Sequence, residues 1–170
     1  MTDTVDPNFS QSEDAGVAAM PTDAKQIYSV GVSTGGIAEI RMAKQALGAH
    51  ITATTLDEKG ADFSSKIIAE HGLADRIEVK IEDVAGGLPY GDEQFDYVYA
   101  RLVLHYLTKQ QLPPTLGNLR RIVRPGGRLF VVVRSVECPD AHKEDAQYDP
   151  ETGLTRYIGG NGKVCYRQYQ

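Results

Sequence analysis

Apolar and polar positions along the chain fall into two alternating periods. Ile27-Tyr28-Ser29-Val30-Gly31-Val32 is a short, mostly apolar run of the kind that forms a buried strand. Ser33-Thr34-Gly35-Gly36 is the turn that leaves it. Ile37, Ile40 and Leu47 then recur at near-helical spacing, and Gly48 is placed as a C-terminal cap. Residues 51–56 are rich in β-branched side chains and predict a second strand. Phe63, Ile67 and Ile68 mark a second helix ending near Gly72, and Ile77, Val79 and Ile81 alternate with charged residues as a third strand. Residues 95–100 read as a fourth strand. A helix follows over about 112–123, with Pro113 and Pro114 in or just before its first turn. Arg124-Pro125-Gly126-Gly127 is a turn, and residues 128–134 an apolar fifth strand. This alternation predicts an α/β, doubly wound, mostly parallel sheet with helices on both faces. Ligand crevices in such a sheet open at the carboxyl ends of the strands.

The periodic part spans residues 26–135. Residues 1–25 are polar, acidic and aperiodic, with Pro7 and Pro21, and read as a mobile N-terminal arm. Residues 136–170 form a C-terminal extension carrying a Gly-rich hairpin, Tyr157-Ile158-Gly159-Gly160-Asn161-Gly162-Lys163-Val164. Either that hairpin adds an antiparallel strand pair to the sheet, or the sheet ends without a complete C-terminal antiparallel pair. In the second case it ends in an edge that another subunit would cover, and a homodimer is expected.

A length of 170 residues suits one domain with one core. The net charge of −5 argues against a nucleic-acid partner. The one dense basic stretch, Arg120, Arg121 and Arg124, falls at a helix C-terminus, where cations complement the dipole. Cys138 and Cys165 lack metal-type spacing and suggest no disulfide framework, so no metal site and a reducing compartment are expected. No stretch approaches the roughly 20 apolar residues of a membrane span. Asp3, Asp6 and Glu13 stand where a secretory signal carries positive charge. A cytoplasmic protein with no membrane partner is the expectation.

Three segments carry a resemblance: Val30-Gly31-Val32-Ser33-Thr34-Gly35; Asp83-Val84 followed by Leu88-Pro89-Tyr90-Gly91-Asp92-Glu93-Gln94-Phe95-Asp96-Tyr97-Val98 and Leu102-Val103-Leu104-His105-Tyr106-Leu107; and Leu119-Arg120-Arg121-Ile122-Val123-Arg124-Pro125-Gly126-Gly127. In order and spacing they resemble class I S-adenosylmethionine-dependent methyltransferases, a Rossmann-like fold. The resemblance implies that Gly31, Ser33 and Gly35 form the loop facing the methionine part of the cofactor. Glycine suits such a loop because a backbone without Cβ can approach a ligand closely. It further implies that Asp83 accepts from the adenine amino group beside the Val84 backbone, and that Arg101 and Leu102 flank the cofactor.

The chain also departs from that pattern. Ser29 stands where the family usually has an acidic residue, two before the first glycine; Ser33 replaces the middle glycine of the loop. Thr55 replaces the acidic residue that holds the ribose hydroxyls. A carboxylate accepts two hydrogen bonds from a diol, and a threonine hydroxyl offers one compact contact. Asp57 or Glu58 substitutes if the strand ends early and the loop curls back.

The remaining candidates have plainer readings. His105 is a general base or, more simply, a structural residue starting a helix. Tyr97, Tyr99 and Tyr106 are an aromatic cage for a sulfonium or ordinary sheet packing. No catalytic residue is assigned. The Asn- or Asp-Pro-Pro-aromatic tetrad of amino-methylating nucleic-acid enzymes is absent at residues 100–103, and no P-loop lysine or dinucleotide fingerprint is present. The expectation is S-adenosylmethionine-dependent methyl transfer to a small molecule. Its rival is a non-catalytic ligand-binding or interaction domain on the same scaffold, with cofactor binding weakened or lost.

Overall fold

The computed structural model describes residues 10–170. Strands β1 (Gln26–Val30), β2 (His50–Thr55), β3 (Ile77–Ile81), β4 (Phe95–Arg101) and β5 (Val123–Val132) form one sheet in the order β3-β2-β1-β4-β5. Every pairing in it is parallel. Helices α1 (Gln11–Ala19), α2 (Ile37–Gln45), α3 (Glu58–Glu70) and α4 (Leu112–Ile122) flank it. The doubly wound α/β architecture expected from the alternation is therefore present.

Successive residues of a strand point to opposite faces, so the sheet has a core on each side. Ile27 joins Ala38, Met42, Ala43 and Ile68 on the face covered by α1, α2 and α3, whereas its neighbour Tyr28 joins Val98, Ala100, Leu119 and Ile122 under α4. Buried Asp96 fixes where the central strands begin. One of its oxygens accepts from the backbone N–H groups of Lys25 and Gln26, at 2.6 and 2.8 Å, and the other pairs with Arg124. A buried carboxylate satisfied in this way ties β1, β4 and the entry to β5 together.

The mobile arm expected over residues 1–25 is corrected where the structure describes it; residues 1–9 lie outside the described residues. Helix α1 is docked rather than free. Val17, Met20 and Ala24 are buried, Tyr97 Oη donates to the Gly16 carbonyl at 2.5 Å, and Arg41 pairs with Glu13 and Asp14. Gly16 makes the docking possible: a Cβ there would collide with the Tyr99 ring and lie 2.7 Å from Phe130 Cε1. The sequence hides this helix because its apolar content is low and its contacts rest on small size and backbone polarity.

Two further expectations shift. Helix α2 stops at Gln45, short of Leu47 and Gly48; Ile37 and Leu47 are exposed, and the buried residues of the helix are Ala38, Glu39, Ile40, Met42 and Ala43. Small residues let the helix approach the sheet closely, so the bulkiest apolar side chains do not mark its inner face. The Gly-rich hairpin forms as expected, but β7 (Thr155–Ile158) and β8 (Val164–Arg167) join β6 (Gln147–Tyr148) in a separate antiparallel sheet. That sheet is tied to the core through Gln168 N–H to the His105 carbonyl at 2.7 Å and Gln170 N–H to the Arg134 carbonyl at 3.0 Å. Strand β5 thus remains an edge of the main sheet, with Leu129 and Val131 exposed.

Gly16→Ala is expected to push α1 off β4 and β5 and to cost about 1–3 kcal/mol by overpacking, read as a lower melting temperature. An unchanged melting temperature would show that α1 contributes nothing to the fold.

Candidate functional site

Between β1 and β4 the chain reverses its direction of progress across the sheet, because β2 and β3 lie on one side of β1 and β4 and β5 on the other. Loops leaving these two strands part in opposite directions and open a crevice at the carboxyl ends. A cavity of about 560 Å³ occupies it, with walls from residues 30–34, 54–57, 82–84, 99, 101–103, 106 and 107.

Most of the residues singled out in the sequence converge here. Gly31, Ser33, Thr55, Asp57, Asp83, Val84, Arg101 and Leu102 all line the cavity. Gly31 has φ +76°, and a Cβ on it would stand 3.1 Å from Val103 Cγ2, so both its conformation and its neighbour require glycine. Gly35 does not line the cavity. Its φ of +68° serves the turn, and its open side faces Phe63 and Ile67 of α3.

Strand β2 ends at Thr55, and the chain then bends so that Asp57 reaches the wall while Glu58 enters α3. Thr55 Oγ1 accepts from Asp57 N–H at 3.1 Å, and Asp57 Oδ1 caps the helix by accepting from Lys59 N–H at 3.1 Å. One hydroxyl proton and one carboxylate oxygen remain free of these bonds, a short polar pair in place of a single acid. Asp83 uses Oδ1 to accept from Ala85 N–H at 2.9 Å. This fixes the carboxylate at the start of a 3-10 turn (Val84–Gly86) with its second oxygen uncommitted.

Leu102 has φ +53°, a left-handed conformation unusual for a branched side chain. Its N–H is held by the Val132 carbonyl at 2.8 Å, which keeps the chain bent where β4 meets the cavity. Arg101 donates from Nε to Ser12 Oγ at 2.8 Å and from Nη2 to Ser10 Oγ at 2.5 Å, tying the start of α1 to the wall.

Two carboxylates escaped the sequence reading. Glu82 lines the cavity and accepts from the phenols of Tyr28 and Tyr90 at 2.6 and 2.9 Å. Burial, with Glu82 beside them, pushes both phenol pKa values well above the usual range. Glu39 is fully buried behind the first loop and accepts from Ser29 Oγ at 2.6 Å, Ser33 Oγ at 2.5 Å and Ser33 N–H at 3.3 Å. A glutamate among helix positions reads as a solvated face, and no local period marked this one as buried.

The aromatic cage does not assemble. Tyr99 and Tyr106 touch the cavity, but Tyr97 is turned to α1, and Tyr99 stacks on Phe130 with centroids 5.6 Å apart. Arg121 is used in packing, donating to the Tyr90 carbonyl at 2.8 Å and to Asp92 at 2.7 Å. His105 is buried in a 3-10 turn (Leu104–Tyr106), off the cavity wall, and edge-on to Tyr106 at 4.4 Å.

A family model described as a methyltransferase domain matches residues 27–127, from the start of β1 into β5. The chain belongs to this methyltransferase domain family. The ubiquinone/menaquinone biosynthesis C-methyltransferase of Paracoccus denitrificans is 32% identical over 112 residues, covering 66% of this chain and 43% of the relative. Among solved structures, the [4+2]-cyclase SpnF superposes with a TM-score of 0.60 at 24% identity, over 69% of this chain and 42% of that one. Geranyl diphosphate methyltransferase in complex with SAM superposes with a TM-score of 0.58 at 15% identity, over 69% and 46%. The present methyltransferase domain spans less than half the length of each. These structural likenesses show the fold, and a cyclase among them shows that the fold alone does not choose the chemistry. Among the described residues, no helix is long and apolar enough to cross a membrane.

Burial, with Arg167 and Arg134 nearby, lowers the His105 pKa from 6.5 to about 4. The folded domain therefore keeps this imidazole neutral over a range where the unfolded chain takes up a proton. Stability from this group is complete above the unfolded pKa and is lost as pH falls from about 6.5 towards 4. Between about pH 7 and about pH 5, His105→Leu is expected to lose about 2 kcal/mol less stability than the wild type, measured by denaturant unfolding. Parallel losses would contradict a neutral, buried His105.

Proposed function

We propose that this domain transfers a methyl group from S-adenosylmethionine to a small-molecule acceptor. One observation carries the reading: the serine that replaces a loop glycine does not fill the crevice. Ser33 Oγ is drawn back to Glu39 and accepts from Ala38 N–H at 2.9 Å, so the loop mouth stays open beside Gly31. The same contact accounts for Ser29, whose hydroxyl shares that carboxylate. Two of the three departures that favoured a non-catalytic domain are thereby joined in one arrangement.

The residues on the wall suit the parts of such a cofactor. Gly31 offers backbone without a side chain, Thr55 and Asp57 offer a donor and an acceptor for a diol, and the free oxygen of Asp83 offers an acceptor for an amino group. When bound, the cofactor supplies an electrophilic methyl on a sulfonium. Leu56, Val103, Tyr106 and Leu107 give the cavity an apolar side, which suits an acceptor with an apolar body. Of the charged groups on the wall, Glu82 holds two phenols, Arg101 holds α1, and the free oxygens of Asp57 and Asp83 are given to the cofactor. Rate enhancement by this domain therefore rests on proximity and orientation of acceptor and methyl rather than on a dedicated base.

Calorimetric titration with S-adenosylmethionine and S-adenosylhomocysteine is expected to show binding in the micromolar range. Asp83→Ala is expected to weaken it about tenfold by removing a charge-assisted acceptor. No heat and no thermal shift with ligand at about 1 mM would overturn the methyltransferase reading.

A further inference from the structure

Glu39 is fully buried and carries no ion pair: no lysine, arginine or histidine nitrogen of the described residues lies within 4.0 Å of its carboxylate. Its partners are two serine hydroxyls and one backbone N–H. Burying a carboxylate costs free energy unless it is hydrogen-bonded or paired, and neutral donors compensate it less than a cation does. The other buried carboxylate, Asp96, has its arginine. The hydrogen bonds of Glu39 run to residues 29 and 33, on either side of Gly31, and residues 30–34 form the cavity wall. The charge therefore stands behind the loop, shielded from water but facing a space that a cationic ligand would enter. In a low-dielectric setting that field extends through the loop into the cavity.

Resting on the methyltransferase reading, we propose that Glu39 is a positioning residue. It holds the Ser33 turn open through hydrogen bonds, and its unpaired charge makes affinity in the crevice depend on the positive groups of the ligand. Ser29 Oγ lies 2.6 Å from Glu39 Oε1, so a carboxylate placed at residue 29 would deliver its charge to nearly the same point. The two positions are interchangeable sources of one charge, and the domain uses the helix in place of the strand end.

The test uses the whole chain and three ligands that differ in positive groups: S-adenosylmethionine has a sulfonium and an ammonium, S-adenosylhomocysteine only the ammonium, and its deaminated analogue neither. Wild-type affinity is expected to fall along that series. Glu39→Gln keeps the shape, so it is expected to weaken S-adenosylmethionine about tenfold while leaving the deaminated analogue nearly unaffected. A purely structural Glu39 would weaken all three ligands alike, and that result overturns the inference. If Glu39→Gln fails to melt cooperatively, the wild-type series and the double variant Ser29→Asp/Glu39→Ala decide the matter. That double variant is expected to bind S-adenosylmethionine within about threefold of wild type and to restore the charge dependence. Equal wild-type affinity for all three ligands, or a double variant without charge dependence, overturns the inference alone. A wild-type chain that takes up none of the ligands overturns the methyltransferase reading, and this inference with it.

Discussion

Parallel pairing of β1 with β2 on one side and β4 on the other is the constraint from which the rest of the molecule follows. Parallel neighbours cannot be joined by a tight turn, so each connection must leave the sheet, cross a face and return. With β1 central, the crossovers through α2 and α3 cover one face and the one through α4 covers the other. The loops after β1 and β4 are thereby forced apart, and the cavity is the space between them. Asp96 protects this arrangement at the opposite end by fixing the start of β1 against β4 and Arg124. A cleft at one end of the strands is thus tied to a buried carboxylate and its contacts at the other.

Elements whose identity rests on period were legible in the sequence. Ile27, Ile51 and Ile77 fall in register across β1, β2 and β3, and Pro113 and Pro114 open α4 as expected of residues lacking an N–H. Eight of the nine site residues that the resemblance implied line one cavity, because a strand end and the loop after it are fixed once the strand is known. What stayed hidden depends on residues that carry little hydrophobic signal. Helix α1 docks through Gly16 and a backbone carbonyl, and α2 buries alanines and a glutamate while Ile37 and, in the turn after the helix, Leu47 face solvent. Such contacts are set by close approach and hydrogen bonding between distant segments, and no local period records them.

The three departures from the family pattern also differ in kind once they are seen in space. Thr55 and Asp57 stand together on the cavity wall, joined by a hydrogen bond that a bend at Leu56 permits. Ser29 and Ser33 are not separate losses, since both hydroxyls meet Glu39. Taken one position at a time, Ser29 and Ser33 are two departures, and Glu39 is an unremarked helix residue. Taken together, the two serines are the hydroxyl donors that make the burial of the Glu39 carboxylate tolerable.

The same contacts decide how the loop after β1 is held open. A glycine at residue 33 would leave the loop shape to backbone preference alone, at an entropic cost on ordering. Ser33 instead adds a hydrogen bond to a buried acceptor and takes one from Ala38 N–H, so the loop is fixed by side-chain contacts to α2. The helix that contributes Glu39 is itself clamped to α1 through Arg41, and α1 is bound to the far wall of the cavity through Arg101. Loop, helix and wall therefore form a closed circuit around the crevice, in which the only buried charge without a protein cation among the described residues is the one behind Ser33.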